Sequence, residues 1–213
     1  MIRPSTFERI YMESDLNLNI PFGKSVVIFA SYRTGSTALC DYISKKYKLA
    51  NFDEVFHNNV PERTARFLDY KGNYVIKIMP DQITDKYGSF KHSSLLKKIV
   101  DDSFLIKLTR TDIIKQIASF YICCATDKWH YKVPELTSDY KINIYNHDYP
   151  FDFIISTNRQ LENLGYCYDL SLAYEDLEIT NTEYKIYNKP TNYIELLEMI
   201  TKKYELFLQT RID

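Results

Sequence analysis

The sequence predicts an α/β protein in which a P-loop-like parallel sheet is flanked by helices. Short apolar runs rich in β-branched residues are typical of strands buried on both faces. They alternate with segments whose apolar residues recur at helical spacing. Alternating strands and helices favour a parallel sheet, whose ligands lie at the carboxyl ends of the strands. At 213 residues a single domain is expected, with residues 1–24 as a lead-in segment.

Four strands are predicted from the apolar runs. The first, SVVIFA, is followed by a glycine-containing turn and a helical segment. The last, DLSLAYEDL, is short and leads into a loop. The predicted strands lie within residues 25–30, 73–79, 103–109 and 169–177.

Five helices are predicted, and their ends carry recognisable signals. Asp112 should cap the helix that follows it, and Gly165 should end the next one. Asn192 and Glu195 have capping-box spacing in a C-terminal amphipathic helix placed within residues 190–213. Residues 128–150, polar and aromatic, are predicted to form a loop over a site. The helices are predicted within residues 36–47, 93–102, 111–125, 151–165 and 191–208.

The composition narrows the function classes. Lys and Arg number 27 against 28 Asp and Glu, so no overall basic field would attract nucleic acid or anionic lipid. The four cysteines include no C-x-x-C, which argues against a disulfide framework or a zinc ribbon. No apolar run approaches the ~20 residues of a membrane span, and the N-terminus lacks the pattern of a signal peptide. A soluble, cytoplasmic protein with a local anion site is expected.

The stretch IFASYRTGSTALC resembles a phosphate-binding loop that lacks its lysine. In the pattern G-x-x-x-x-G-K-[ST], Ala30, Gly35 and Thr37 keep the frame, whereas Ser36 replaces the lysine. The N–H groups at the start of the following helix still favour an anion, and Arg33 offers a planar fork to its oxygens. The loop therefore favours an anion smaller or less charged than Mg·ATP, such as a sulfuryl donor held without a metal. The alternative is an ordinary strand-turn-helix junction.

A second strand-to-helix turn carries a similar combination of residues. Arg110 follows the predicted third strand, and Ser119 lies nine residues later on the next helix. Nine residues span about two and a half helical turns, so Ser119 faces Arg110 only if the helix angles back toward the strand end.

With these two motifs the chain resembles the sulfotransferases that use 3′-phosphoadenosine 5′-phosphosulfate (PAPS). It is most similar to the bacterial trehalose 2-sulfotransferase family. That family's loop, R-S-G-S-T-x-L-C, is matched by RTGSTALC from Arg33. Its 3′-phosphate segment, R-x-D-x-x-x-Q-x-x-S, is matched by Arg110, Asp112, Gln116 and Ser119.

Weaker matches extend the resemblance along the chain. Lys77 in VIKIM is similar to the family's G-x-K-[IL]-M, and AYEDL is similar to its Y-E-D-L. NFDEVF resembles P-x-E-Y-F, whose acidic residue corresponds to Glu54 here. Phe52 and Val55 depart from that last pattern. The chain is also shorter than expected before AYEDL and lacks an R-K-G-x-x-G segment, which leaves the acceptor open.

The resemblance implies a role for each matched residue. Glu54 would be the catalytic base, with Lys77 and Arg33 stabilising charge on the transferring group. Arg110 and Ser119 would hold the 3′-phosphate, and no metal would be required. The 5′-phosphosulfate would be bound by Arg33, Thr34, Gly35, Ser36 and Thr37.

The implied reaction transfers a sulfuryl group from PAPS to a hydroxyl of a carbohydrate or glycolipid, leaving 3′,5′-adenosine bisphosphate (PAP). Three alternatives stay open at this point. His57 is a rival base, because imidazole accepts protons near neutral pH. The chain could instead be a kinase-like nucleotide enzyme that uses Mg·ATP, or a PAP-binding module without turnover.

Overall fold

A five-stranded, all-parallel sheet forms the centre of the computed structural model, which describes residues 16, 18–57, 61–84, 93–127, 140–144, 148–177 and 189–210. The strand order is β2-β3-β1-β4-β5. The predicted α/β class with a helix-flanked parallel sheet is confirmed. The strands are β1 Ser25–Ala30, β2 Ala50–Glu54, β3 Tyr74–Ile78, β4 Ser103–Thr109 and β5 Leu170–Ala173.

Seven α-helices are described, and a 3₁₀ turn at Tyr174–Leu177 follows β5. Five of the helices were predicted, although α6 begins two residues before its predicted start. The helices are α1 Ser36–Tyr47, α2 Pro61–Asp69, α3 Pro80–Ile83, α4 Ser93–Asp102, α5 Ile113–Thr126, α6 Tyr149–Glu162 and α7 Tyr193–Gln209.

Strand β2 and helices α2 and α3 were not predicted. β2 is an edge strand in which only Phe52 is buried, so its sequence lacks the apolar run that marks the central strands. α2 likewise buries only Phe67. α3 spans four residues, which is too short to show a helical period.

The core lies on both faces of the sheet. β1 is buried at all six positions because β3 and β4 pair with it on either side. Its side chains alternate between the faces, as the pleat requires. Val27 and Phe29 pack in the cluster that includes residues of α4, whereas Val26, Ile28 and Ala30 pack with residues of α1. The same cluster includes Leu18 and Ile20 of the predicted lead-in, whose residues 1–15 and 17 lie outside the described chain.

The parallel register brings the ends of all five strands to one side of the sheet, here called the carboxyl edge. Ala30 is level with Leu108 of β4, and Glu54 at the end of β2 is level with Lys77 of β3. The residues that follow these strands therefore gather at this edge, including the loop 31–35 after β1. This is the side where open parallel sheets bind ligands.

The predicted helix ends have mixed outcomes. Asp112 caps α5 as predicted, since its carboxylate accepts a hydrogen bond of 3.0 Å from the backbone N–H of Lys115. Gly165 adopts the left-handed conformation, with φ of 72°, three residues beyond α6. The capping box at Asn192 is wrong, because its side chain makes no cap hydrogen bond.

The side chain of Asn192 instead holds residue 142. Its amide accepts from the backbone N–H of Ile142 at 3.2 Å and donates to the Ile142 carbonyl at 3.0 Å. Ile142 and Ile144 are buried with residues of α5, α6 and α7. Most of the loop predicted at 128–150 lies outside the described residues. None of the helices in the described part of the chain combines the length and the apolar character needed to cross a membrane.

Replacing Asn192 should distinguish a bridge from a helix cap. Serine caps helices as well as asparagine does, but it cannot reproduce both hydrogen bonds to Ile142. Asn192→Ser and Asn192→Ala should therefore each lower the free energy of unfolding by about 1–3 kcal/mol. Urea denaturation measures this loss. Wild-type stability in Asn192→Ser alone would mean that capping is the role of this residue.

Candidate active site

The loop that follows β1 has an unusual backbone. Arg33 and Gly35 both adopt the left-handed region, with φ of 64° and 77°. This conformation costs a non-glycine residue about 1–2 kcal/mol, so contacts elsewhere must hold Arg33 in place. Within the loop, the hydroxyl of buried Thr34 donates to the Ser31 carbonyl at 2.9 Å.

The amide side chains of Gln116 and Asn158 hold the start of the loop. Gln116 of α5 is fully buried and donates to the Ser31 hydroxyl at 2.8 Å and to the Tyr32 carbonyl at 2.7 Å. Asn158 of α6 donates to the Gln116 carbonyl oxygen at 3.0 Å and accepts from the Ser31 hydroxyl. The loop is therefore fixed by two helices as well as by its own strand.

Arg33, Arg110 and Ser119 come together at the carboxyl edge. Arg110 donates from Nη1 to the Arg33 carbonyl at 3.1 Å, and Arg33 donates from Nε to the Ser119 hydroxyl at 2.9 Å. The sequence motifs thus meet, with Arg33 between the other two. The Ser119 oxygen accepts from Arg33, which leaves its own hydroxyl hydrogen available to an anion.

The 3₁₀ turn after β5 supports the segment that carries Arg110. The Glu175 carboxylate accepts the backbone N–H groups of Thr111 and Asp112, each at 3.1 Å. The Tyr174 ring lies 4.4 Å from the centre of the Arg110 guanidinium. The AYEDL segment therefore supports the backbone and side chain around Arg110. The sequence had matched this segment to a motif without indicating its contacts.

Arg110 has the properties of an anion-binding group. Its Nε atom is buried and has no hydrogen-bond partner among the described residues. Burial lowers the pKa of the guanidinium, and the charge of nearby Arg33 acts in the same direction, against the opposing effects of Tyr174 and Glu175. A bound anion would supply both an acceptor for Nε and a compensating charge. The residues present therefore fit a phosphate at this place.

Lys77 is the centre of a second group. Its side chain is 3% exposed, and its ammonium donates to the Thr37 hydroxyl of α1 at 2.5 Å. It also forms ion pairs of 3.0 Å with Glu54 and with Asp53 of β2. The contact with Asp53 lacks the geometry of a hydrogen bond. Burial acts to lower the pKa of Lys77, but the Glu54 and Asp53 carboxylates outweigh it, so the pKa lies above the ordinary lysine value.

Both oxygens of the Glu54 carboxylate are engaged. One pairs with Lys77, and the other accepts a hydrogen bond of 2.7 Å from the Gln82 side chain of α3. The Glu54 side chain is 13% exposed and is flanked in sequence by buried Phe52 and Phe56. Glu54 is therefore a largely buried carboxylate whose two oxygens are both bound by other side chains.

Tyr32 and Asp81 extend the polar surroundings of Glu54. The Tyr32 hydroxyl donates to Asp81 of α3 at 3.1 Å. Burial raises the pKa of Tyr32 well above its ordinary value, and the charges of Asp81 and Glu54 raise it further. Tyr32 is therefore a neutral hydrogen-bonding group near Glu54.

The remaining predicted residues lie near these two groups. Gly35 precedes α1 and offers no side chain to cap it, and Ser36 is buried at the first position of that helix. His57, the rival base, donates its backbone N–H to the Glu54 carbonyl at 3.5 Å. Trp129, which resembles part of the second family motif, lies outside the described residues.

Several site residues were missed in the sequence, and they share a supporting function. Tyr32 lies in the loop, where its carbonyl accepts from Gln116 and its hydroxyl donates to Asp81. Each of the others contacts a predicted residue or holds the loop, through a side chain from a distant or unpredicted element. Asp53 carried a signal, since it is an acidic residue next to Glu54, but nothing in the pattern indicated that both would reach Lys77. The missed residues are Tyr32, Asp53, Gln82, Asn158 and Glu175.

Comparisons with known proteins do not identify a family for this chain, so a functional assignment rests on the geometry of the site. No protein-family model matches the chain, and no curated protein matches it significantly. The coarse class is an α/β protein with a helix-flanked parallel sheet, and a polar, partly buried site lies at its carboxyl edge.

Removing the buried ammonium should destabilise the fold. Lys77→Met keeps the length of the side chain but leaves Glu54 without its cation, so we expect the free energy of unfolding to fall by about 3 kcal/mol or more. Lys97→Met is the control, because Lys97 of α4 pairs with Asp101 and their side chains are 76% and 57% exposed. That loss should stay within about 1 kcal/mol. Equal losses in urea denaturation would contradict a structural role for the buried pair.

Proposed function

We propose that this protein is a sulfotransferase that moves a sulfuryl group from PAPS to an acceptor hydroxyl, with a carbohydrate or glycolipid as the acceptor class. The observation that carries the proposal is the position of Lys77. Its buried ammonium contacts both Thr37, at the start of the loop helix, and Glu54, the proposed base. One cation thus contacts both the helix that follows the loop and the carboxylate that would act as the base.

The reaction is a displacement at sulfur. The acceptor oxygen forms a new bond to sulfur, the bond from sulfur to the 5′-phosphate oxygen breaks, and PAP leaves with that electron pair. The proton of the acceptor hydroxyl passes to Glu54. Lys77 and Arg33 stabilise the negative charge that develops on the sulfuryl and bridging oxygens.

The loop is suited to the 5′ side of the donor. The backbone N–H groups at the start of α1 favour an anion, and Gly35 leaves them uncovered by a capping side chain. Thr34, Ser36 and Thr37 would complete this part of the site. Because Gln116 and Asn158 hold the loop start in place, little ordering would be needed on binding.

Arg110 and Ser119 would bind the 3′-phosphate. Arg110 Nε is buried without a hydrogen-bond partner among the described residues, and Ser119 retains a hydroxyl hydrogen to donate. Arg33 lies between them and is hydrogen-bonded to both. The 3′ and 5′ groups of one nucleotide would thus bind to residues that contact each other.

The contact between Lys77 and Thr37 distinguishes this proposal from a kinase-like enzyme. In loops of the G-x-x-x-x-G-K-[ST] type, the final hydroxyl binds Mg²⁺. Here the corresponding hydroxyl, that of Thr37, accepts a hydrogen bond from an ammonium group. A protein cation thus lies against the atom that a metal would use, which favours a donor handled by side chains.

Ligand-induced melting tests donor recognition. PAP should raise the melting temperature of the wild-type protein, whereas ATP with Mg²⁺ should raise it little. Arg110→Ala should weaken PAP binding by about 10- to 100-fold, because it removes charge-assisted hydrogen bonds to one phosphate. Binding of adenosine 5′-monophosphate, which lacks that phosphate, should be nearly unchanged.

Arg66→Ala is the matched control for that variant. Arg66 is exposed on α2, and its removal should leave PAP binding intact. Stabilisation by Mg·ATP alone would overturn the sulfotransferase proposal. An unchanged PAP affinity in Arg110→Ala would place the 3′-phosphate elsewhere.

A second experiment tests the base. Glu54→Gln keeps the shape of the side chain but cannot accept the acceptor proton, so transfer should fall at least about 100-fold while PAP binding is retained. Transfer of ³⁵S from PAPS to a panel of hydroxylated sugars and glycolipids measures this loss.

Glu62→Gln, an exposed change on α2, should leave transfer unchanged. Full transfer by Glu54→Gln would assign the proton to another group, with His57 the first to examine. PAP binding by a wild-type protein that transfers no sulfuryl group would instead favour a binding module without turnover.

A further inference from the structure

Four charged side chains form a row that leads into the candidate active site. Arg63 of α2 lies 3.2 Å from Asp53, Asp53 lies 3.0 Å from Lys77, and Lys77 lies 3.0 Å from Glu54. The charges alternate in sign, so the row is neutral as a whole. It runs from Arg63, whose side chain is 31% exposed, to the buried ammonium of Lys77.

The backbone of β2 is distorted at the point that makes this row possible. Neighbouring residues of a regular strand point to opposite faces of the sheet. The pairing of β2 with β3 shifts register between Asn51 and Asp53, and Asp53 adopts a φ of 53°. The Asn51 side chain accepts the Asp53 N–H at 2.9 Å and supports this turn. As a result, adjacent Asp53 and Glu54 both reach Lys77.

A left-handed conformation at a non-glycine residue is strained, and such strain often marks a functional position. Glu54 alone would give the resting Lys77 a counter-charge. The second carboxylate therefore has its greatest effect in a state in which Glu54 is neutral. In the proposed reaction, that state follows proton transfer from the acceptor to Glu54.

We propose that Asp53 is a positioning residue that keeps Lys77 protonated after Glu54 has taken the acceptor's proton. This inference rests on the proposed function. With Glu54 neutral, Asp53 is the remaining carboxylate within ion-pair distance of Lys77 among the described residues. Lys77 thus stays a cation while negative charge develops on the bridging oxygen.

The other groups around Lys77 cannot supply this charge. On α1, Thr37 is a neutral acceptor, and burial raises the pKa of the Cys40 thiol far above its ordinary value, so Cys40 is neutral as well. Gln82 of α3 is a neutral amide that holds Glu54. Arg63 of α2 is a cation that pairs with Asp53, so it cannot balance the charge of Lys77. The two carboxylates of β2 are therefore the negative groups that face the ammonium.

A substitution at position 54 can imitate the state in which Glu54 has accepted the proton. Glu54→Gln makes position 54 neutral, and ¹H–¹⁵N spectra of lysine ammonium groups follow the protonation of Lys77, assigned by its absence in Lys77→Arg. In Glu54→Gln the ammonium should remain protonated well above neutral pH. In Glu54→Gln with Asp53→Asn, the titration midpoint should fall by about 2 pH units or more, because a buried lysine without a counter-charge loses its proton readily.

The control double variant combines Glu54→Gln with Glu62→Gln, which removes an exposed carboxylate of α2 and should leave the midpoint unchanged. Equal midpoints with and without Asp53 would overturn the inference. If the double variant does not fold, Asp53→Asn alone decides the question: its Lys77 midpoint should fall by about 1 pH unit, and an unchanged midpoint would again overturn it.

These measurements need no nucleotide, so their failure is distinct from that of the proposed function. A protein that ignores PAP but shows the expected titration refutes the sulfotransferase assignment and supports the charge relation. A protein that binds PAP but shows no dependence of Lys77 on Asp53 refutes the present inference alone. A purely structural Asp53 would lower stability without moving the titration of Lys77.

Discussion

The buried ammonium of Lys77 constrains the whole carboxyl edge of the sheet. A charge this deeply buried is tolerated only with counter-charges and hydrogen bonds in place. Thr37 supplies one contact from α1, and Glu54 and Asp53 supply two from β2. Because these partners lie on α1 and β2, the Lys77 side chain fixes the start of the loop helix and the edge strand relative to β3. The distorted backbone at Asp53 allows the two adjacent carboxylates of β2 to reach the same ammonium.

The two halves of the site differ in how their charges are compensated. Around Lys77 the carboxylates of β2 balance the cations, and Gln82 completes the hydrogen bonding of Glu54. Around Arg110 one buried guanidinium N–H has no acceptor among the described residues, and Arg33 adds a second positive charge nearby. An anion therefore gains more at Arg110 than at Lys77. In the proposed reaction, the Arg110 half would bind the donor and the Lys77 half would serve the proton transfer.

The sequence determined the central elements more clearly than the contacts between them. β1, β3 and β4 are apolar runs because they are buried on both faces, and Asp112 is a local cap. The β2 edge strand has one buried residue and no such pattern. The pairing of Glu54 with Lys77 depends on the register of β2 against β3, which no local pattern encodes. Asn192 has the spacing of a capping box, yet tertiary contacts to Ile142 take its side chain.

The placement of the cation on a strand explains why the loop can do without a lysine. A lysine within the loop would reach phosphates on a flexible stem, whereas Lys77 rises from the central part of the sheet and is held by three partners. Its charge is already compensated, so it adds little attraction for a highly charged triphosphate. In the proposed reaction it would still stabilise the smaller charge that develops when a sulfuryl group leaves a phosphate. The neutral row that ends at Glu54 thus fits the proposed transfer of a group of low charge.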